Sequence, residues 1–160
     1  MEEVRSTLTD AKATERAGRA IAGAMTPGVI VTLSGDLGAG KTTLARGVLR
    51  GLGWTGPVKS PSYALVEHYP FSNLYLYHFD FFRFEDVREW EDAGFAEAFR
   101  RDTVCLVEWP ERVAARLPTA DLAITLSLAS EGSEGRLLVA TATTEVGRRC
   151  LSALAGAAGD

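Results

Sequence analysis

The chain has 160 residues, of which 46% are hydrophobic and 24% charged, with two cysteines and a formal net charge of −4. This length suits one domain with a buried core, and two cysteines are too few for a secreted fold built on disulfides. The negative charge argues against a protein that holds nucleic acid through its phosphates by itself. With neither a signal peptide nor an apolar run of roughly 20 residues, we expect a cytoplasmic protein that does not enter a membrane.

The predicted elements alternate between helices and strands along the chain. Asp10 is a plausible N-cap for the first helix, in which Ala13, Ala17 and Ile21 recur on one face. The elements predicted in chain order are a helix at 10–25, a strand at 29–35, a helix at 42–53, a loop at 54–63, strands at 64–69 and 74–82, a helix at 84–100 with a break near Gly94, strands at 103–109, 121–128 and 136–143, and a last helix at 145–160. This alternation favours an α/β sandwich.

The segment GDLGAGKTT follows the first predicted strand and opens the next helix. Gly35, Gly40, Lys41 and Thr42 fit the P-loop pattern G-x-x-x-x-G-K-[ST]. Glycines let backbone N–H groups surround a phosphate, the lysine reaches the β- and γ-phosphates, and the hydroxyl can coordinate Mg²⁺. The helix directs its positive end at the same anion. We therefore predict a nucleotide site in a single domain spanning residues 1–160.

The same motif specifies the fold class further. We predict a three-layer sandwich of the kind found in P-loop nucleoside triphosphatases. The last two predicted strands flank ASEGSEG, which is the outline of an antiparallel hairpin. The sheet is therefore expected to be mixed and mainly parallel, with that hairpin at its C-terminal end.

A P-loop also requires a carboxylate at the end of a neighbouring strand, to hold Mg²⁺ or its water shell. Asp80 follows LYLYHF and Glu108 follows VCLV. Either could instead be a solvated acid at a strand end, although this fold brings such ends beside the phosphates. We assign Glu108 to the metal, because its strand is the more apolar and so is expected at the sheet centre. Asp80 is then expected near the γ-phosphate or the attacking water.

The loop KSPSY carries hydroxyl groups and follows the P-loop helix. It is either a plain connection or a segment that becomes ordered when the γ-phosphate is present. The residues of this candidate switch loop are Ser60, Pro61, Ser62 and Tyr63. The two histidines, His68 and His78, are too few and too scattered for a metal cage, and we interpret them as structural.

Four segments, GDLGAGKTT, KSPSYALVEHY, YHFDFFRF and CLVEWPE, occur in this order, within a resemblance that runs from about Asp10 to about Leu128. Together they resemble the TsaE family, also called YjeE, and are far more specific than the P-loop alone. The resemblance implies an ATP-hydrolysing subunit required for threonylcarbamoyladenosine (t6A) modification of tRNA. It also implies the partners TsaB and TsaD, of which TsaD is the transferase. Hydrolysis would reset the TsaB–TsaD complex, and the chain would contact tRNA only through that complex.

The motif and the resemblance together assign residues to ATP and Mg²⁺. The nucleotide-binding set is Ala11, Gly35, Asp36, Leu37, Gly38, Ala39, Gly40, Lys41, Thr42 and Thr43. Thr42 and Glu108 would hold Mg²⁺, while Lys41, Asp80 and Glu108 would be catalytic. Residues near Ala11 would lie beside the adenine.

The chain departs from the family pattern at three positions. Serine and alanine stand at Ser62 and Ala64, where the family usually has threonine, and Phe82 replaces a tyrosine. Ser62 keeps a hydroxyl, whereas Ala64 cannot form a side-chain hydrogen bond. Two alternatives stay open beside the ATPase: a small-molecule P-loop kinase with Asp80 as its base, and a nucleotide-dependent binding switch with negligible turnover.

Overall fold

A seven-stranded sheet forms the centre of the computed structural model, which describes residues 2–158. The strands are β1 (Glu2–Leu8), β2 (Ile30–Ser34), β3 (Val66–Pro70), β4 (Tyr75–Asp80), β5 (Thr103–Glu108), β6 (Leu122–Leu128) and β7 (Arg136–Ala142). The helices are α1 (Ala11–Ala22), α2 (Lys41–Gly51), α3 (Arg88–Asp92) and α4 (Glu145–Ala158), with 3₁₀ helices at Phe95–Ala98 and Pro110–Val113.

The strand order is β1-β7-β6-β2-β5-β4-β3, with parallel pairing across β6, β2, β5 and β4. The remaining pairs are antiparallel. Only β3 and β7 therefore oppose the other strands, so five of the seven run in one direction. This confirms the predicted mixed, mainly parallel sheet, and β6 with β7 forms the predicted C-terminal hairpin.

Two hydrophobic cores lie against opposite faces of the sheet. One contains the apolar faces of α1, α2 and α4, and the other contains aromatic side chains of β4, α3 and the first 3₁₀ helix. The fold therefore has three layers. Every residue of β5 and the three central residues of β2 are buried between the two cores.

Helices α1 and α2 approach each other closely because small residues lie between them. A Cβ atom at Gly18 would overlap the carbonyl oxygen of Leu44, and one at Gly47 would overlap that of Glu15. This packing fixes α2 against the sheet and places its first residue, Lys41, at the carboxyl end of β2.

The sequence-based elements differ from the structure mainly at the N-terminus. No element was predicted before residue 10, but Glu2–Leu8 forms edge strand β1, which pairs with β7 along its length. The predicted helix at 84–100 is much shorter in the structure: only α3 (Arg88–Asp92) and the 3₁₀ helix Phe95–Ala98 form, and Gly94, with φ of 68°, separates them. Residues 159 and 160 of the predicted last helix lie outside the described residues. None of the helices within 2–158 has the length and apolarity needed to span a membrane, and the single-domain assignment stays a prediction.

Candidate functional site

The predicted P-loop connects β2 to α2 in a conformation that depends on glycine. Gly38 and Gly40 have φ angles of 81° and 105°, which glycine adopts without strain. Gly40 precedes the first residue of α2 and provides no side-chain hydrogen bond to the helix. The first N–H groups of α2 thus lack a side-chain cap and are available to an anion.

Arg136, the first residue of β7, is bound to this loop although 97 positions separate it from Ala39. Its guanidinium donates to the carbonyl oxygens of Ala39 at 2.9 Å and Gly38 at 3.1 Å. It also donates to Ser133 at 3.0 Å and Gly135 at 3.1 Å in the β6–β7 turn. One side chain therefore joins the hairpin to the P-loop and places a positive charge at the edge of the loop.

Lys41 is held inside the site, with only 5% of its surface exposed. Its ammonium donates to the carbonyl oxygen of Gly35 and lies 3.9 Å from the ring centroid of Trp109. Burial lowers the pKa of Lys41, and the negative charges of Glu108 and Asp80 oppose that shift. Among residues 2–158 Lys41 forms no salt bridge, so a phosphate could provide a direct anionic partner for this buried cation.

The two predicted acids meet at the carboxyl ends of neighbouring strands. Asp80 of β4 pairs in register with Glu108 of β5. They are only 6% and 3% exposed, which excludes the alternative of solvated strand-end acids. Glu108 Oε2 accepts a hydrogen bond from Thr42 Oγ1 at 3.3 Å and lies 2.6 Å from Nε2 of His78.

Asp80 is a buried carboxyl whose charge the protein only partly compensates. Burial raises its pKa; the N–H of Phe82, which donates to Oδ1 at 2.9 Å, lowers it, and the charge of Glu108 raises it further. His78 and Lys41 contribute smaller lowering effects. A carboxyl that takes up a proton more readily than usual, inside a cleft, has the properties of a general base.

Two adjoining cavities surround these groups. The first, of about 330 Å³, is lined by Leu37, Gly38, Gly40, Lys41, Thr42, Thr43, Ser62, Asp80, Glu108, Trp109 and Arg136. The second, of about 230 Å³, is lined by Ala11, Thr14, Gly40, Thr43, Glu134 and Arg136. Since Gly40, Thr43 and Arg136 belong to both, the cavities are neighbouring parts of one cleft.

Three residues of the predicted nucleotide-binding set do not line either cavity. Gly35, Asp36 and Ala39 instead shape the loop through their main-chain carbonyl oxygens. Gly35 accepts from Lys41, Asp36 accepts from the N–H of Ala39 at 3.0 Å, and Ala39 accepts from Arg136. Ala11 lines the second cavity, which does not include the two acids.

Only Ser62 of the candidate switch loop lines the first cavity. Its hydroxyl is 2.8 Å from that of Ser60, whereas Tyr63 is 84% exposed and lies under the guanidinium of Arg83. The loop is connected to the acids through Leu65. The N–H of Leu65 donates to Pro61 at 2.8 Å, and its carbonyl accepts from the N–H of Asp80 at 2.9 Å.

The residues missed by sequence reasoning are His78, Trp109 and Arg136. Trp109 has a left-handed backbone conformation with φ of 57°, unusual for a residue with a side chain, and its indole packs under Lys41. His78 lies two residues before Asp80, so the alternation of β4 places both on one face. That alternation could have indicated His78, but nothing local marks Arg136.

The comparisons with known proteins agree on one family. The family model described as "Threonylcarbamoyl adenosine biosynthesis protein TsaE" matches residues 8–137. The chain is 42% identical over 125 residues to the tRNA threonylcarbamoyladenosine biosynthesis protein TsaE of Haemophilus influenzae, covering 78% of this chain and 77% of that one. To the protein of the same name from Treponema pallidum it is 34% identical over 130 residues, covering 81% and 96%.

A solved structure shows the same likeness in three dimensions. The crystal structure of Bacillus subtilis YdiB superimposes with a TM-score of 0.78 at 30% sequence identity. The superposition covers 97% of this chain and 95% of YdiB. The two proteins therefore share this fold.

Proposed function

The chain belongs to the TsaE family, and we propose that it is the ATP-binding and ATP-hydrolysing subunit of the machinery that forms t6A in tRNA. The observation that carries this proposal is the meeting of the P-loop with two buried acids around one cleft. Relatives named for tRNA threonylcarbamoyladenosine biosynthesis supply the process in which that ATPase would act. The proposed place of action is the cytoplasm.

The residues present fit ATP with Mg²⁺. The glycine conformations of the P-loop leave room for phosphate oxygens, and the uncapped start of α2 and the ammonium of Lys41 provide positive charge. Thr42 Oγ1 and the Glu108 carboxylate are hard oxygen ligands on facing elements, 3.3 Å apart. When bound, Mg²⁺ would neutralise charge that develops on the phosphate oxygens.

The adenosine would occupy the smaller cavity. The shared residues Gly40 and Thr43 connect it to the phosphate side, and Ala11 at the start of α1 lies at its wall. A nucleotide bound across both cavities would extend from α1 to the acids. In this arrangement Ala11 would lie near the adenine.

Asp80 is proposed to orient and deprotonate the attacking water. Its carboxyl is fixed by the N–H of Phe82 and lies opposite Glu108, so one acid serves the metal and the other the nucleophile. Lys41 would bind the transferred phosphate oxygens as charge develops there. Since Leu65 binds the backbone of Asp80, ordering of the switch loop by a γ-phosphate at Ser62 would reach the same strand end.

Hydrolysis is proposed to reset the TsaB–TsaD complex between turnovers, with tRNA contacted through that complex. The two cavities together leave little space for a second substrate beside ATP. A kinase lid is not favoured by residues 84–100, because Phe84, Trp90 and Phe95 pack into the second core.

Reconstitution of t6A synthesis tests the proposal. We expect purified TsaB and TsaD to complete about one round per complex without this chain, and many rounds with it and ATP. The Glu108→Ala variant should not support the later rounds. Sustained synthesis without the chain, or full support by Glu108→Ala, would contradict the proposal.

A phosphorylated small molecule formed from labelled ATP would favour the kinase, and support of synthesis without ATP consumption would favour the binding switch.

A further inference from the structure

A fully buried histidine lies next to Glu108. His78 has no exposed surface, and its Nε2 atom is 2.6 Å from Glu108 Oε2. It shares a face of β4 with Asp80, so the strand directs both side chains toward the end of β5. The histidine therefore touches an acid of the cleft without being among the residues that line it.

The hydrogen bonds at Glu108 are concentrated on one oxygen. Because a carboxylate only accepts hydrogen bonds, the imidazole donates from Nε2. Thr42 Oγ1 donates to the same atom, Oε2. No hydrogen bond within residues 2–158 uses Oε1, so this oxygen is left for a ligand in the cleft.

The environment of His78 is otherwise unfavourable to a polar side chain. Its Nδ1 is the one buried side-chain nitrogen or oxygen in the described part of the chain that has no hydrogen-bond partner. Burying a polar atom in this way is costly, and the neighbouring inward residue, Leu76, is apolar. The hydrogen bond to Glu108 is therefore the polar contact that can offset this cost.

We propose that His78 is a positioning residue that fixes the Glu108 carboxylate with Oε1 directed to the divalent cation. This inference rests on the proposed function, since it requires that Glu108 bind Mg²⁺. Residues that hydrogen-bond to metal ligands typically change metal affinity or activity by about 10- to 100-fold when they are replaced. The replacement should weaken metal binding and not nucleotide binding, because within residues 2–158 the side chain of His78 forms no hydrogen bond to the P-loop main chain.

The test measures binding of a fluorescent ADP analogue as a function of Mg²⁺ concentration, with a parallel measurement in EDTA. His78→Leu and His78→Asn remove the donor to Oε2, the second because its amide is too short. His78→Gln keeps an N–H at nearly the same reach. Leu76→Val is the matched control, since it changes a buried residue on the same face of β4.

We expect His78→Leu and His78→Asn to raise the Mg²⁺ midpoint about tenfold or more, with metal-free affinity within about twofold of the wild type. His78→Gln should restore the midpoint to within about threefold, and Leu76→Val should leave it unchanged. If His78→Leu does not fold, the His78→Asn and His78→Gln pair carries the comparison. Unchanged midpoints, or an equal loss of metal-free affinity, would overturn the role of His78 alone. A wild-type protein whose nucleotide binding ignores Mg²⁺ would overturn both this inference and the proposed metal site.

Discussion

At the scale of single residues, Asp80 carries a charge that the fold makes costly. It is buried at the end of β4, faces the second acid Glu108, and has one backbone N–H as its hydrogen-bond donor. A neutral side chain at this position would make the folded state more stable, so the charged carboxyl lowers the free energy of unfolding. Such a conflict between stability and chemistry is typical of catalytic positions.

The Asp80→Asn variant should therefore be more stable than the wild type at neutral pH while losing about 10²- to 10⁴-fold of its ATP hydrolysis. Because burial raises the pKa of Asp80, the folded state binds the proton more tightly, and wild-type stability falls as pH rises from 3.8 through the folded-state value. The gain in stability from Asn should be absent below pH 3.8 and complete above the folded-state pKa of Asp80. Urea unfolding at several pH values measures it.

Asp86→Asn is the matched control. Hydrogen bonds from Arg88 lower the pKa of Asp86, so this carboxylate contributes stability that is present above 3.8 and lost as pH falls. The variant should be slightly less stable at neutral pH. An Asp80→Asn protein that is also less stable would mean that the neighbours of Asp80 stabilise its charge.

Replacing Glu108 and replacing Asp80 should have different effects on the Mg²⁺ dependence of nucleotide binding. Glu108→Ala removes the carboxylate that Thr42 and His78 hold through Oε2, so it should raise the Mg²⁺ midpoint of nucleotide binding by about tenfold or more. Asp80→Ala should abolish hydrolysis with a much smaller shift of that midpoint. Titration of Mg²⁺ into each variant in the presence of ADP measures the two midpoints. A larger shift in Asp80→Ala than in Glu108→Ala would mean that Asp80 binds the metal and Glu108 serves the nucleophile.

At the scale of elements, the β6–β7 hairpin supports the P-loop. Arg136 stands at the first position of β7 and binds carbonyl oxygens of both the turn and the loop. The same guanidinium borders both cavities. The shape of the loop thus depends on an element almost one hundred residues further along the chain.

Arg136→Ala should lower the affinity for Mg·ADP by about tenfold or more, because hydrogen bonds from a charged donor contribute about 1.5–3 kcal/mol each and 1.4 kcal/mol corresponds to tenfold. Arg136→Lys should recover little, since an ammonium cannot reproduce the planar fork. Arg148→Ala, which removes a partly exposed arginine of α4, is the control. Calorimetry measures all three, and wild-type affinity in Arg136→Ala would contradict this role for the hairpin.

At the scale of the whole molecule, the sequence predicts what is encoded locally. The P-loop is a contiguous motif, and the two acids end apolar strands, so strand alternation and parallel pairing were enough to bring Thr42, Asp80 and Glu108 together. β1 was missed because it is an exposed edge strand of mainly polar residues, and pairing with β7 defines it. Arg136 was missed because its contacts, like the pairing of β1, depend on tertiary structure and not on a local sequence pattern.

His78 shows a different limit of sequence reasoning. Its position in β4 was predicted, but a single histidine is more often structural than functional, and the sequence does not show its distance to Glu108. The bond of 2.6 Å arises because β4 and β5 pair in the register that sets Asp80 opposite Glu108. Register between strands follows from packing over the whole sheet.

The proposed ATPase activity depends most on the P-loop binding a nucleotide through Lys41. Calorimetric titration of Mg·ADP into the wild-type chain and into Lys41→Ala tests this directly. We predict saturable binding of one nucleotide per chain, weakened about tenfold or more in Lys41→Ala because the variant lacks the buried cation that would contact the phosphates. A flat titration of the wild type, or equal affinity in Lys41→Ala, would contradict the account.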